Sequence, residues 1–136
     1  MLLLAVTSLV AAEKPDPVAI VGLYAKYVVG NCTAWAGLFE ENGCKIDSPA
    51  PACGFAALVK FCSSNPFVGG LAYSLRGNTL VSRVQNTYQV LAGFLLAGNT
   101  GNGIIAQDGF NSFVINATSG LIISCTGYLE QAASTP

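Results

Sequence analysis

The chain has 136 residues, the length of one domain, with 52% hydrophobic and only 10% charged residues. That much apolar material excludes a disordered chain, and 6 scattered Lys+Arg against 7 Asp+Glu exclude a basic nucleic-acid binder. Histidine is absent, which excludes Ser–His–Asp and Cys–His hydrolysis as usually built and removes the commonest metal ligand, so no metal or cofactor is expected.

Residues Met1–Ala12, MLLLAVTSLVAA, form an apolar stretch of the length of a signal-peptide core and end in a small-x-small step. Cleavage near Ala12 and secretion to the extracellular space are expected, leaving 13–136 as a single domain; the alternative is a buried N-terminal helix. The stretch is shorter than the roughly 20 apolar residues that span a bilayer, and no later segment is longer and uniformly apolar, so no membrane anchor is expected.

Pro15-Asp16-Pro17 can start a helix, and Val18, Val21, Tyr24, Tyr27 and Val28 then follow helical spacing until Gly30. Thr33 can cap a second helix over Ala34–Phe39. Asn42-Gly43 reads as a turn, Cys44–Asp47 as a short strand and Ser48–Pro51 as a loop. Phe55, Leu58, Val59 and Cys62 give a third helix, stopped by Asn65-Pro66. Val68–Gly70 and Gly77-Asn78 read as loops. Leu80–Val84, Tyr88–Ala97, Ile104–Asn116 and Leu121–Leu129 read as strands, rich in β-branched and aromatic residues between Gly/Asn turns. The run Gly98–Gly103 lacks the Lys-Ser/Thr of a phosphate loop and reads as a hairpin connection. Helices followed by strands predict an α+β fold, with helices packed on one face of a mostly antiparallel sheet.

Five cysteines, Cys32, Cys44, Cys53, Cys62 and Cys125, with no CxxC, suggest two disulfides and one free thiol in a secreted chain. Sequence leaves their pairing open. Asn31-Cys32-Thr33 and Asn116-Ala117-Thr118 are glycosylation sequons lying between periodic segments.

The segment Ala34-Trp35-Ala36-Gly37-Leu38-Phe39-Glu40-Glu41-Asn42-Gly43, followed by Asp47, Pro49, Gly54 and the helix Phe55–Phe61, resembles the nuclear-transport-factor-2-like superfamily, in its SnoaL-like and ketosteroid-isomerase-like branch. Phe110-Asn111-Ser112-Phe113, Ser119-Gly120-Leu121-Ile122 and Tyr128 are similar to its last two strands. The resemblance covers roughly residues 18–130. It implies a cone-shaped curved, mostly antiparallel sheet wrapped around three N-terminal helices. It also implies an apolar cavity and a homodimer through the outer sheet face. The fold hosts many activities, so it does not set the function by itself.

On that resemblance Asp47 matches the position of a general base, a carboxylate that moves a proton next to a carbonyl. The usual Asp-Pro is Asp47-Ser48-Pro49 here, and a turn-forming Asp is the alternative. Tyr24 matches a phenol that donates to the substrate oxygen, with Tyr27 as a rival and a core tyrosine as the alternative. Asn111 stands where the isomerases place a protonated acid, and its amide keeps a donor. Asp108, three residues earlier, faces the other way by strand alternation. Trp35, Phe39, Phe61, Tyr88, Phe110 and Phe113 are candidates for the cavity wall, or ordinary core. Lys26, Lys45, Lys60, Arg76 and Arg83 read as solvated. Two functions are thus expected: a cofactor-free isomerase or cyclase acting on a small apolar carbonyl compound, or a non-catalytic module on the same fold that binds a small apolar molecule or a protein.

Overall fold

The structure, a computed structural model, describes residues 15–47, 50–64, 71–99 and 104–129. The expected signal stretch Met1–Ala12, the Ser48-Pro49 part of the loop, Asn65-Pro66 and Val68–Gly70 lie outside them.

Helix α1 spans Pro17–Val28; Asp16 caps it, its Oδ1 accepting from the Val18 N–H at 3.0 Å. Of the face expected from spacing, Val21, Tyr24 and Val28 are buried and Tyr27 is half-buried, while Val18, in the first turn, is exposed. Helix α2 covers Cys32–Ala36, two residues earlier than expected, because Asn31 rather than Thr33 supplies the cap to the Ala34 N–H. Phe39 is therefore not helical: it opens strand β1, Phe39–Lys45. Strand β2 is Ala52–Cys53 and helix α3 is Phe55–Ser63.

Asn42-Gly43 is not a turn. It lies inside β1, where the register against the last strand shifts between Phe39 and Cys44. A Cβ on Gly43 would stand 2.8 Å from the Ile122 carbonyl oxygen, so only glycine lets the two backbones approach so closely.

Strands β3 (Leu71–Val84), β4 (Thr87–Asn99), β5 (Ile104–Asn116) and β6 (Ile122–Leu129) complete a six-stranded sheet of order β2-β1-β6-β5-β4-β3. All neighbours are antiparallel except β1 and β6, which are parallel. Gly77-Asn78, expected as a loop, is a register shift within β3, which lets that strand begin at Leu71. Residues 100–103 of the expected hairpin connection lie outside the described residues, while the strands it joins pair up to Asn99 and Ile104.

The sheet is open and curved, and α1 packs on β3 and β4 while α3 packs on β1 and β2. The core is aromatic: Tyr24 lies edge-on to Phe113 at 5.0 Å between centroids, and Trp35 contacts Tyr24, Phe39 and Phe61. Two disulfides pin the helical end. Cys32–Cys62 joins α2 to α3, and Cys44–Cys53 joins β1 to β2; Cys125 is free and buried.

Candidate functional site

Strand alternation sorts the residues of β5. Asn111, Phe113 and Ile115 are buried on the inner face, while Phe110 is 41% exposed on the outer one. Phe110 therefore cannot share a cavity wall with Phe113, three residues on. It stacks instead on Tyr128, its partner on β6, at 4.8 Å. Trp35, Phe39 and Phe113 are fully packed core, and Phe61 and Tyr88 are half-buried against it. Asp108 is exposed and pairs with Arg76, away from Asn111.

Asp47 lies two residues past the end of β1. Its Oδ1 accepts from the Gly127 N–H at 2.9 Å and from Lys45 Nζ at 3.1 Å, and its Oδ2 lies 3.1 Å from the same ammonium. Lys45 is the residue that the sequence reading missed. It was expected in solvent, yet it is 4% exposed. Its chain neighbours are the half-buried Cys44 and the exposed Ile46, and the charge is covered because β6 and β5 close over it. The one sequence signal was its spacing: Lys45 and Asp47 are two apart, so an extended chain puts both on one face.

Lys45 Nζ also donates to Asn111 Oδ1 at 3.5 Å, and Asn111 Nδ2 donates to the Tyr73 hydroxyl. Tyr24, fully buried, interacts electrostatically with the Cys125 thiol and with Tyr73, whose ring it meets edge-on at 6.1 Å. Asp47, Asn111 and Tyr24 thus converge on one cluster, with Lys45, Tyr73 and Cys125 as members not chosen from sequence. Gly127 makes the cluster possible: a Cβ there would lie 2.9 Å from Asn111 Oδ1 and 3.0 Å from Lys45 Nζ.

Burial pushes the Tyr24 phenol well above its ordinary value, with the negative forms of Cys125 and Tyr73 adding to the rise. Tyr73 is raised by the same burial. The Cys125 thiol is pushed up to about 11 by burial, against the opposing pull of the Lys45 charge. Both phenols therefore stay neutral at physiological pH, able to donate hydrogen bonds but not to act as bases. Among the described residues no group of His, Cys, Asp and Glu is arranged to hold a metal ion, and no helix is long and apolar enough to cross a membrane.

A separate open depression of about 240 Å³ lies at the β3–β4–β5 surface, lined by Leu80, Ser82, Gln89, Leu91 and Ser112 among others. Leu80 and Leu91 face each other across the β3–β4 ladder and both are exposed.

No protein-family model matches the chain, and no curated protein does. Solved structures do. A nuclear-transport-factor-2-like protein with a cystatin-like fold from Novosphingobium aromaticivorans is similar at TM-score 0.71 and 16% identity, over 85% of this chain and 80% of that one. A ketosteroid-isomerase-like protein from Erwinia carotovora atroseptica is similar at TM-score 0.67 and 9% identity, over 85% and 94%. A protein of ketosteroid-isomerase-like fold from Catenulispora acidiphila, in complex with trimethylamine, is similar at TM-score 0.60 and 15% identity, over 85% and 86%. The fold is the nuclear-transport-factor-2-like one that the sequence resembles.

Proposed function

With that fold as its frame, we propose that the chain is an exported, non-catalytic binding module: the cone is kept and proton-transfer chemistry at Asp47 is not. One observation carries this reading. The Asp47 carboxylate is tied at once to Lys45 and to the Gly127 N–H, and the other candidate groups, Asn111 and Tyr24, are spent on Lys45, Tyr73 and Cys125. A general base must reach a substrate proton with a free lone pair, and an oxyanion donor must point its hydrogen at the substrate oxygen. Here those atoms point at one another. Two disulfides support export, since such bonds persist in oxidising compartments.

The ligand class is a small apolar molecule, and the outer-face depression beside Leu80 and Leu91 is the surface offered to it. The trimethylamine complex is a case of this fold holding a small molecule. The same outer face, with Phe110 and Tyr128, is where a second copy would pair.

The second reading is a cofactor-free isomerase. It is favoured by the unbroken line from half-buried Asp47 through Lys45 and Asn111 to Tyr73. Isomerisation of a β,γ-unsaturated ketone by wild type beside Asp47→Asn separates the two. No turnover above buffer by folded wild type is expected; turnover that Asp47→Asn abolishes overturns the non-catalytic reading.

A further inference from the structure

Cys125 is the free thiol of a chain whose other four cysteines are disulfide-bonded. Its position is specific. Lys45 of β1 and Cys125 of β6 are direct partners in the parallel ladder, which puts their side chains on the same face. Both are buried, at 4% and 0% exposure, and the Lys45 charge acts on the thiol. Tyr24, on α1, interacts with the thiol from the helix side. Asp47, 3.1 Å from Lys45 Nζ, is placed to take a proton from the ammonium.

We propose that Lys45 and Cys125 are the two ends of a redox-labile nitrogen–oxygen–sulfur cross-link, formed with dioxygen as oxidant. The Lys45 ammonium first passes one proton to the Asp47 carboxylate. The neutral amine and the thiol then lose two electrons each, and dioxygen takes the four. One oxygen atom becomes the bridge, forming an N–O and an O–S bond as one N–H and the S–H break. The other leaves as water with those two hydrogens. One hydrogen stays on the nitrogen. Two equivalents of a dithiol supply four electrons and reverse the step, releasing the bridge oxygen as water.

The enclosure favours this product over the usual ones. A sulfur oxidised in water proceeds to sulfenic and sulfinic acids or meets a second thiol. Here an amine stands beside the thiol on the same buried face of the ladder, and the other cysteines are already paired. A link between β1 and β6 would fasten the sheet at its parallel junction. It would also consume the cation that holds Asp47, so oxidation and release of the carboxylate are coupled.

The test uses the full chain with its disulfides intact, held under oxygen and under argon. Intact mass under oxygen is expected to rise by about 14 Da, one oxygen gained and two hydrogens lost. Tryptic mapping should show no cleavage after Lys45 and a peptide carrying Lys45 joined to one carrying Cys125, separated by dithiothreitol. Cys125→Ala and Lys45→Arg, the latter keeping the cation, should each abolish the gain. An unchanged mass, a gain of about 16 or 32 Da on Cys125, or a direct sulfur–nitrogen bond read as a loss of about 2 Da overturns the proposal. The wild-type map stands by itself should either variant fail to fold.

Discussion

The Lys45 ammonium lies 3.1 Å from Asp47 Oδ2, with the lysine side chain 5% and the aspartate side chain 28% exposed. The pair is unequal: one partner has no route to water and the other does. Removing the carboxylate strands a buried cation. Removing the ammonium leaves a carboxylate that reaches solvent and keeps its bond from Gly127. Asp47→Ala should therefore cost about 3 kcal/mol and Lys45→Met about 1 kcal/mol. Urea unfolding at pH 7 measures both, and equal costs would contradict the asymmetry.

Stability should fall in alkali. Burial raises the Cys125 thiol from 9.0 to about 11, while in the unfolded chain it returns to its ordinary range. Between those values the unfolded chain binds fewer protons than the folded one, so raising the pH favours unfolding. The contribution is intact below pH 9 and is lost toward pH 11, a change of about 3 kcal/mol. Tyr24, raised from 10.0 by its own burial, extends the loss in the same direction at higher pH. Thermal unfolding from pH 7 to 11 should show this slope in wild type and a shallower one in Cys125→Ala.

The two sequons should differ in occupancy. Asn31 is exposed, and its Oδ1 accepts from the Ala34 N–H, which leaves Nδ2 open to solvent. Asn116 is half-buried; its Nδ2, the atom a glycan needs, donates to Glu40 at 2.8 Å, and its Oδ1 accepts from Thr118 and Ser119. Protein from a eukaryotic secretory host should carry one glycan, lost in Asn31→Gln and retained in Asn116→Gln. Two glycans by intact mass would show that folding does not protect Asn116.

The disulfides should also rank. Cys32–Cys62 closes a separation of 30 residues and Cys44–Cys53 one of 9. Loop-closure entropy assigns about 4 kcal/mol to the first and about 3 kcal/mol to the second. Double Cys→Ser variants compared by urea unfolding test the order.

Much of the scaffold was legible because it depends on local periodicity. The apolar face of α1, the α+β order and the strand character of β4, β5 and β6 follow from residues near in sequence. So does the inward side of Asn111 against the outward side of Asp108, since alternation is a property of the strand alone. The same alternation separates Phe110 from Phe113, although grouping by aromatic character had placed them together. The errors at Asn42-Gly43 and Gly77-Asn78 share another cause. Glycine and asparagine mark a turn in an isolated chain, but a neighbouring strand can absorb the irregularity as a bulge.

The sequence by itself determined that this chain folds as a helix-then-sheet domain, with no histidine and with cysteines enough for two disulfides. It also placed Asp47 and Lys45 on one side of the chain. Only the tertiary structure decided that Lys45 is buried, that Cys125 is its partner and that Asp47 is held rather than free. The physical reason is distance along the chain. Asn111 lies 66 residues from Lys45, and Gly127 lies 80 from Asp47. Periodicity fixes which way a side chain faces, but the environment it meets there is assembled by strands far away in the sequence.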